Sequence, residues 1–314
     1  MTNNFSAKNI IKFILIGLSL ASVAWVIYIL YSSIEEIKVS LDNIEYQWLA
    51  IVFLGNCISS YIAFEGFRLI YERIQPNTYN RRFLAHLYFI GQLMKHLPGR
   101  IFGIAYQASI GDKTSSSQWV GINAAYMLLT TAFAIFVACS VAAIMFNVAL
   151  GIAAIFLGIS IYFICWQPST LQKIEKFIPT SKIVFVKNAI QPVITIATAN
   201  RTFQFKVLII FLTSWVIYLI SWMWYGIAWP SLTALDGIRL CGIYTLAWFF
   251  GYISFVSPSG LGVREAAFFL LAKDFPPDAI AGMALLGRVT LLLVDIILGL
   301  IYLYAGNGSN ARTQ

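Results

Sequence analysis

Residues 255–274 read FVSPSGLGVREAAFFLLAKD, and the stretch sets a problem that the fold must solve. Pro258, Gly260 and Gly262 interrupt any helix that enters them, yet Arg264 and Glu265 follow at once among Phe255, Phe268, Phe269 and Leu270. Such a break inside an apolar run reads as a turn between two short helices. Adjacent opposite charges just beyond it are either misplaced or required.

The surrounding chain decides which. Its 314 residues are 60% hydrophobic and only 11% charged, against about 25% charged in an average soluble domain, and the mean hydropathy is +0.79. This is the composition of an integral membrane protein. Apolar stretches at about 12–31, 46–71, 118–145, 148–166, 207–229 and 279–304 are each long enough to cross a hydrocarbon core of roughly 30 Å. Backbone polar groups in lipid must be bonded within their own segment, so the expected fold is an all-α polytopic bundle. The net charge of +8 comes from basic residues in short loops, where the positive-inside rule accounts for them without nucleic acid. Cys57, Cys139, Cys165 and Cys241 stand singly in apolar stretches and read as small packing residues. Near the N-terminus, ASVA at 21–24 resembles a cleavage site, but the apolar run continues through WVIYILY, which favours an uncleaved first span.

Four shorter apolar stretches remain. Residues 83–97 and 101–110 are separated by Pro98 and Gly99, and residues 238–256 and 261–273 by Ser257, Pro258, Ser259 and Gly260. Each pair reads as a re-entrant helical hairpin, although 238–256 is long enough to span alone. The order of span, broken hairpin and span occurs at about 46–146 and again at about 207–306, a displacement of about 160 residues that aligns Pro98 with Pro258. Loop charges give the orientation. Residues 32–45 hold Glu35, Glu36, Asp42 and Glu45 against Lys38, whereas 167–206 hold Lys173, Lys176, Lys182, Lys187, Arg201 and Lys206 against Glu175. The first connection is therefore expected outside and the second in the cytoplasm, with both termini cytoplasmic. The two units then enter the bilayer from opposite faces. The expectation is one membrane domain over 1–314, with about six spans and two hairpins arranged as an inverted repeat, and such paired breaks mark transporter sites near the midplane.

The opening stretch acquires a physical role in that frame. A hairpin tip leaves helix-end N–H and C=O groups unpaired inside the membrane. Ser257 and Ser259 are suited to cap them, and the helix opening near Gly260 points its positive dipole end at the tip. Arg264 and Glu265 fall one turn into that helix, where an unpaired charge costs several kcal/mol and needs a cavity or partner. Candidate partners are Arg288 and Asp295 on one face of the last span, Glu65 and Arg68 on the second, and Arg100 beyond the first break. The alternative is that these charges only tie the bundle together. An arginine grips a phosphate with paired hydrogen bonds, so the ligand class indicated is anionic.

SPSGLGVREAAFFLLAKD at 257–274, followed by LLGRVTLLLVD at 285–295, resembles the signature of the lysylphosphatidylglycerol synthase transmembrane-domain family, flippase-like proteins with a P-x-G-L-G-x-R-E run. HLPGRIFGIAYQASIG at 96–111 is similar to that family's first hairpin. The resemblance is close over 257–295 and loose elsewhere. It places Pro258, Gly260, Gly262, Arg264 and Glu265 on the motif, Arg288 on the basic position of the final span, and Pro98 and Gly99 on the first break. Many members carry an acidic residue and an arginine after the first break, whereas this chain has Ile104 and Gln107 nearby, so a different set of ligand contacts is expected in that half. The resemblance implies a lipid translocation module in the cytoplasmic (inner) membrane, moving phospholipids or polyprenyl-linked sugars, often beside an envelope-lipid biosynthetic enzyme. No soluble segment exceeds the 40 residues of 167–206, so a stand-alone member is expected.

The reading is therefore a flippase-like transporter of an anionic or phosphate-bearing lipid, working by alternating access. Arg264, Arg100 and Arg288 would engage the headgroup, and Glu265 and Asp295 would orient them or relay protons. Two other classes stand beside it: a non-transporting subunit that docks a glycosyltransferase or aminoacyl-lipid synthase, and a membrane-embedded transferase using Glu265. No cofactor or metal is expected, because His86 and His96 lack clustered carboxylates or thiols and no glycine run has the form of a nucleotide loop. Trp222, Trp224, Tyr225 and Trp229 read as an interfacial belt.

Overall fold

The structure is a computed structural model that describes residues 44–96, 102–111, 113–146, 191–196, 198–253 and 263–306, together with isolated positions between 149 and 160. All its regular elements among those residues are helices: α1 (Tyr46–Ile74), α2 (Arg81–Met94), α3 (Phe102–Ile110), α4 (Ser116–Phe146), α5 (Arg201–Ala228), α6 (Ala234–Ile253), α7 (Val263–Leu271) and α8 (Pro277–Gly306). Four of them, α1, α4, α5 and α8, are long and apolar enough to cross a membrane. They correspond to four of the expected spans. The expected span at 12–31 lies outside the described residues, as does most of 148–166.

Helix starts follow from local chemistry. Asn80 caps α2 by accepting a hydrogen bond from the Phe83 amide at 2.8 Å, and Asn200 caps α5 by accepting from Phe203 at 2.9 Å. Ser115 and Gln118 form a reciprocal box at the start of α4, in which each side-chain oxygen accepts from the other's amide. Thr233 and Asp236 do the same for α6. Pro277 opens α8 at a position where its missing N–H removes no intrahelical bond.

Helices α1 and α5 form the central pair and run antiparallel. Gly55 meets Ser221 at one end of the crossing, and Gly66 meets Phe211 and Ile210 at the other. Between them the Ser59 hydroxyl donates to the Ser214 carbonyl at 2.9 Å, and the Ser214 hydroxyl donates back to the Ser59 carbonyl at 2.9 Å. Residues 155 apart thus exchange equivalent bonds, as a two-fold axis perpendicular to the helices requires. The neighbours repeat the relation. Helix α2 packs on α8 as α6 packs on α4, and α3 folds against α2 as α7 folds against α6. The register differs from the 160-residue displacement read in the sequence. Gly66 packs against α5, whereas Gly226 faces Thr233 and Gly237 at the turn into α6, so those two glycines do different work.

Helices α2 and α3 double back on each other. The Tyr106 hydroxyl meets His86 Nε2 at 2.7 Å, Gln107 donates to the Leu87 carbonyl, and Gly103 lies against the Gly91 carbonyl. Lys113 then returns to Thr78 and Tyr79, beside the start of α2. In the second half Tyr244 of α6 meets Phe268 of α7 edge-on at 5.2 Å, so α7 packs back on α6. The first arms are unequal: α2 has 14 residues and α6 has 20, about 21 and 30 Å at 1.5 Å per residue. Only the second has the length of a bilayer core.

Two aromatic-rich cores fill the bundle. One gathers Phe64, Phe67, Tyr71, Phe89, Trp119 and Phe211, and the other gathers Trp222, Tyr225, Tyr244, Phe268 and Met283. The second corrects the belt reading. Trp222 and Tyr225 are wholly buried and Trp229 nearly so, because they fill the contacts of α5 with α6 and α8; the Tyr225 hydroxyl donates to the Ala279 carbonyl at 2.9 Å. Of the four, only Trp224 stays partly exposed, stacked at 5.0 Å on Trp48.

The two ends of the bundle differ in charge. Around the end of α1, the starts of α2 and α5 and the loop after α3 stand Arg68, Arg73, Arg81, Arg82, Lys113, Arg201 and Lys206, against Glu65 and Glu72. The opposite end carries Glu45, Asp236, Asp274 and Asp278 against Arg239 and Lys273.

Candidate functional site

Twelve of the fourteen expected site and break residues fall on or beside the breaks or on α7 and α8. The tip residues Pro98, Gly99, Arg100, Ser257, Pro258, Ser259, Gly260 and Gly262 lie outside the described residues. The charged side chains next to the tips are described, and they fall into two clusters joined by α8.

The first cluster stands at the start of α7. Glu265 Oε1 receives Arg264 Nε at 3.2 Å and Arg288 Nη2 at 2.5 Å, so one carboxylate holds two guanidiniums. Arg264 also lies over the Tyr244 ring, 5.0 Å from its centroid. Its side chain is only 10% exposed, and a charge so buried is stable only while such partners hold it. The Tyr244 hydroxyl is buried with no hydrogen-bond partner, next to Gly287, where an added Cβ would come within 3.0 Å of it. With two cations and one anion the group carries an excess positive charge. It also offers guanidinium N–H groups in the paired geometry that fits a phosphate.

The second cluster stands at the end of α2. Asp295 Oδ2 receives Lys95 Nζ at 2.9 Å and His96 Nε2 at 2.8 Å, with Asp295 itself buried. Arg288 lies eleven residues after the first residue of α8, and Asp295 eleven before the last. The two clusters therefore flank the middle of a helix about 45 Å long, roughly 10 Å apart along its axis. The sequence reading places Asp295 near this site but omits Lys95 and His96. Their signal is position, three and two residues before Pro98, together with the rule that a charge inside a membrane needs a partner.

Glu65 and Arg68 are not brought to either cluster. Glu65 binds Arg68 at 2.8 Å and Arg81 at 3.0 Å, and Arg68 also binds Glu72, in a network at the basic end of the bundle. Their spacing of three residues is that of neighbours on one helix face, and Arg81 joins them because α2 starts beside α1. His86 is a satisfied core histidine, held by Tyr106 and by the Tyr302 carbonyl at 3.1 Å. Gln107 accepts from Asn123 at 2.6 Å and ties α3 to α4. Among the described residues no group of three or more histidine, cysteine, aspartate or glutamate side chains is placed to hold a metal ion.

The two repeated units treat charge differently. Helix α4, the counterpart of α8, contains no Asp, Glu, Lys or Arg along its 31 residues, whereas α8 carries Arg288 and Asp295 at its centre. If packing the fold required ions at the middle of these long helices, both units would need them. The chain is thus a helical membrane protein whose repeated scaffold holds one asymmetric set of buried charges. No family model, no curated protein and no solved structure matches it.

Proposed function

We propose that the chain moves an anionic, phosphate-bearing lipid between the leaflets of a cell membrane, with Arg264 and Arg288 binding the headgroup and Glu265 holding them when the site is empty. The observation that carries this reading is the pair of guanidiniums sharing one carboxylate at the middle of α8, without counterpart on α4. An incoming phosphate offers both arginines what Glu265 offers them, at similar geometry, and a singly charged headgroup balances the excess positive charge of the group. Exchange of one partner for the other is a low-barrier way to load a buried site.

The reciprocal α1–α5 crossing supports an inverted repeat, since a two-fold axis perpendicular to spanning helices lies in the membrane plane. The two doubled-back helix pairs support hairpins that enter from opposite faces, with 12–31 and 148–166 completing six spans. The basic end then faces the cytoplasm, as does the C-terminus. The resemblance of 257–295 to the flippase-like family agrees with this reading and stands on the sequence alone.

Purified protein reconstituted in vesicles with fluorescent phosphatidylglycerol or phosphatidylcholine tests it. Quenching from outside should reach the inner-leaflet phosphatidylglycerol only when protein is present, and Arg264→Ala should abolish that access. Absence of exchange for every anionic lipid tried, at more than one copy per vesicle, refutes transport. A response to soluble glycerol phosphate without lipid exchange points instead to a soluble anion. A reporter fused after Gln314 that reads outside the cell refutes the six-span inverted arrangement.

A further inference from the structure

We propose that Asp295, His96 and Lys95 form a proton-binding site that couples headgroup binding to uptake of one proton. This rests on the headgroup reading above and adds to it what sets the charge of the loaded site. In the cluster around Glu265 both cations are guanidiniums, which keep their protons at any physiological pH. The cluster around Asp295 is built of other groups: a carboxylate, an amine and an imidazole, the side chain whose charge ordinarily changes near neutrality. With the imidazole neutral, Lys95 and Asp295 cancel. One added proton, shared by the His96–Asp295 pair, makes the cluster singly positive.

The surroundings confine that change to this pair. Within α2 the Tyr88 hydroxyl also senses Asp295, and so does Tyr126 of α4; these two meet each other at 2.5 Å. On α8 the nearest charge is Arg288, two turns away and held by Glu265. On α1 Glu65 is held by Arg68 and Arg81 at the basic end. Arg264 and Glu265 of α7 belong to the other cluster.

The chemistry is one proton taken from water on one side and returned on the other, with no other bond made or broken. A singly charged headgroup and one proton together add no net charge to the protein, which removes the main electrostatic cost of carrying an anion through a low-dielectric slab. By reciprocity, each ligand then raises the affinity for the other by the same factor.

Calorimetric titration of the full chain in detergent with dihexanoyl-phosphatidylglycerol, repeated in buffers of different ionisation enthalpy, counts the protons. The expected result is uptake approaching one proton per lipid, with affinity falling by up to about tenfold per pH unit on raising the pH. Asp295→Asn combined with His96→Gln should still bind, with neither proton uptake nor pH dependence. Binding by the unaltered protein without proton uptake overturns the proposal, as does uptake that survives in the double variant. If the lipid does not bind at all, the headgroup reading fails, and a second measurement still decides this one. The imidazole resonances of His96, distinguished from those of His86 by His86→Gln, should respond to pH over the range of the calorimetric titrations and change that response in Asp295→Asn. Resonances that stay fixed over that range overturn the proton site.

Discussion

Replacing Glu265 with glutamine tests the arginine pair most directly. The change keeps the shape of the side chain and one acceptor oxygen but leaves Arg264 and Arg288 without their shared negative charge. Removing one partner of a buried pair costs about 3–5 kcal/mol. Here the Glu265 and Arg288 side chains are 24% and 25% exposed, so the lower end applies, about 3 kcal/mol. For a chain of this size that corresponds to a fall of the order of 5 °C in the unfolding midpoint, measured in detergent by circular dichroism. The same substitution leaves the two guanidiniums free for a ligand. An anionic short-chain lipid at a hundred times its dissociation constant restores about 2.7 kcal/mol, nearly the whole loss. Glu265→Gln should therefore be destabilised alone, rescued by dihexanoyl-phosphatidylglycerol, and not rescued by the phosphatidylcholine analogue. An unchanged midpoint, or equal rescue by the zwitterionic lipid, refutes the claim that Glu265 stands in for a bound anion.

Tyr244→Phe removes a buried hydroxyl that has no partner, so stability should change by less than about 0.5 kcal/mol; if that hydroxyl donates to the headgroup, titration should show weaker lipid binding in the same variant. Gly55→Leu and Gly66→Leu drive side chains into opposite ends of the α1–α5 crossing, and unfolding should show similar losses for the two, about 1–3 kcal/mol or more; a large difference between them contradicts the reciprocal packing. In a cysteine-free background, Arg82→Cys and Asp274→Cys should react with a membrane-impermeant maleimide from opposite sides in oriented vesicles, and reaction from one side alone contradicts the assignment of the basic and acidic ends. Asn80→Ala and Asn200→Ala each remove an N-cap bond and should each cost about 1 kcal/mol in the same unfolding assay.

Much of this fold is legible one segment at a time, because spans and hairpin arms are set by local rules. The expected span at 46–71 is observed as Tyr46–Ile74, that at 279–304 as Pro277–Gly306, and the arm at 261–273 as Val263–Leu271. Apolar length, proline, glycine and capping residues decide those limits within the segment itself. The 155-residue register belongs to a different level, since it depends on Ser59 and Ser214 meeting across the bundle. The same holds for Trp222 and Tyr225. An aromatic cluster at a span end has the composition of a belt, and only the packing of α6 and α8 over it turns it into core. Glu65 and Arg68 read as site candidates because they share a helix face, but Arg81, sixteen residues beyond Glu65, binds Glu65, and Glu72 binds Arg68. His96 and Lys95 were hidden by the opposite effect: their partner Asp295 is about 200 residues away in the chain and adjacent in space.

A symmetric scaffold with an asymmetric charge set has a mechanical consequence. Two units related by an in-plane axis have two arrangements of equal backbone packing, which exchange the roles of the units and open the centre to opposite leaflets. Identical charges in both units would make those arrangements equal in energy at every occupancy. In this chain the ions sit on α8 and on the ends of α2 and α7 that face it, and α4 is free of them. On the proposed reading, the energy difference between the two arrangements depends on what α8 holds: Glu265 or an anion at Arg264 and Arg288, and a proton or none at Asp295 and His96. A ligand shifts such an equilibrium only by its differential affinity for the two states. Because α8 carries a member of each cluster and α4 carries no charge, each exchange acts on one of these two counterpart helices and leaves the other untouched.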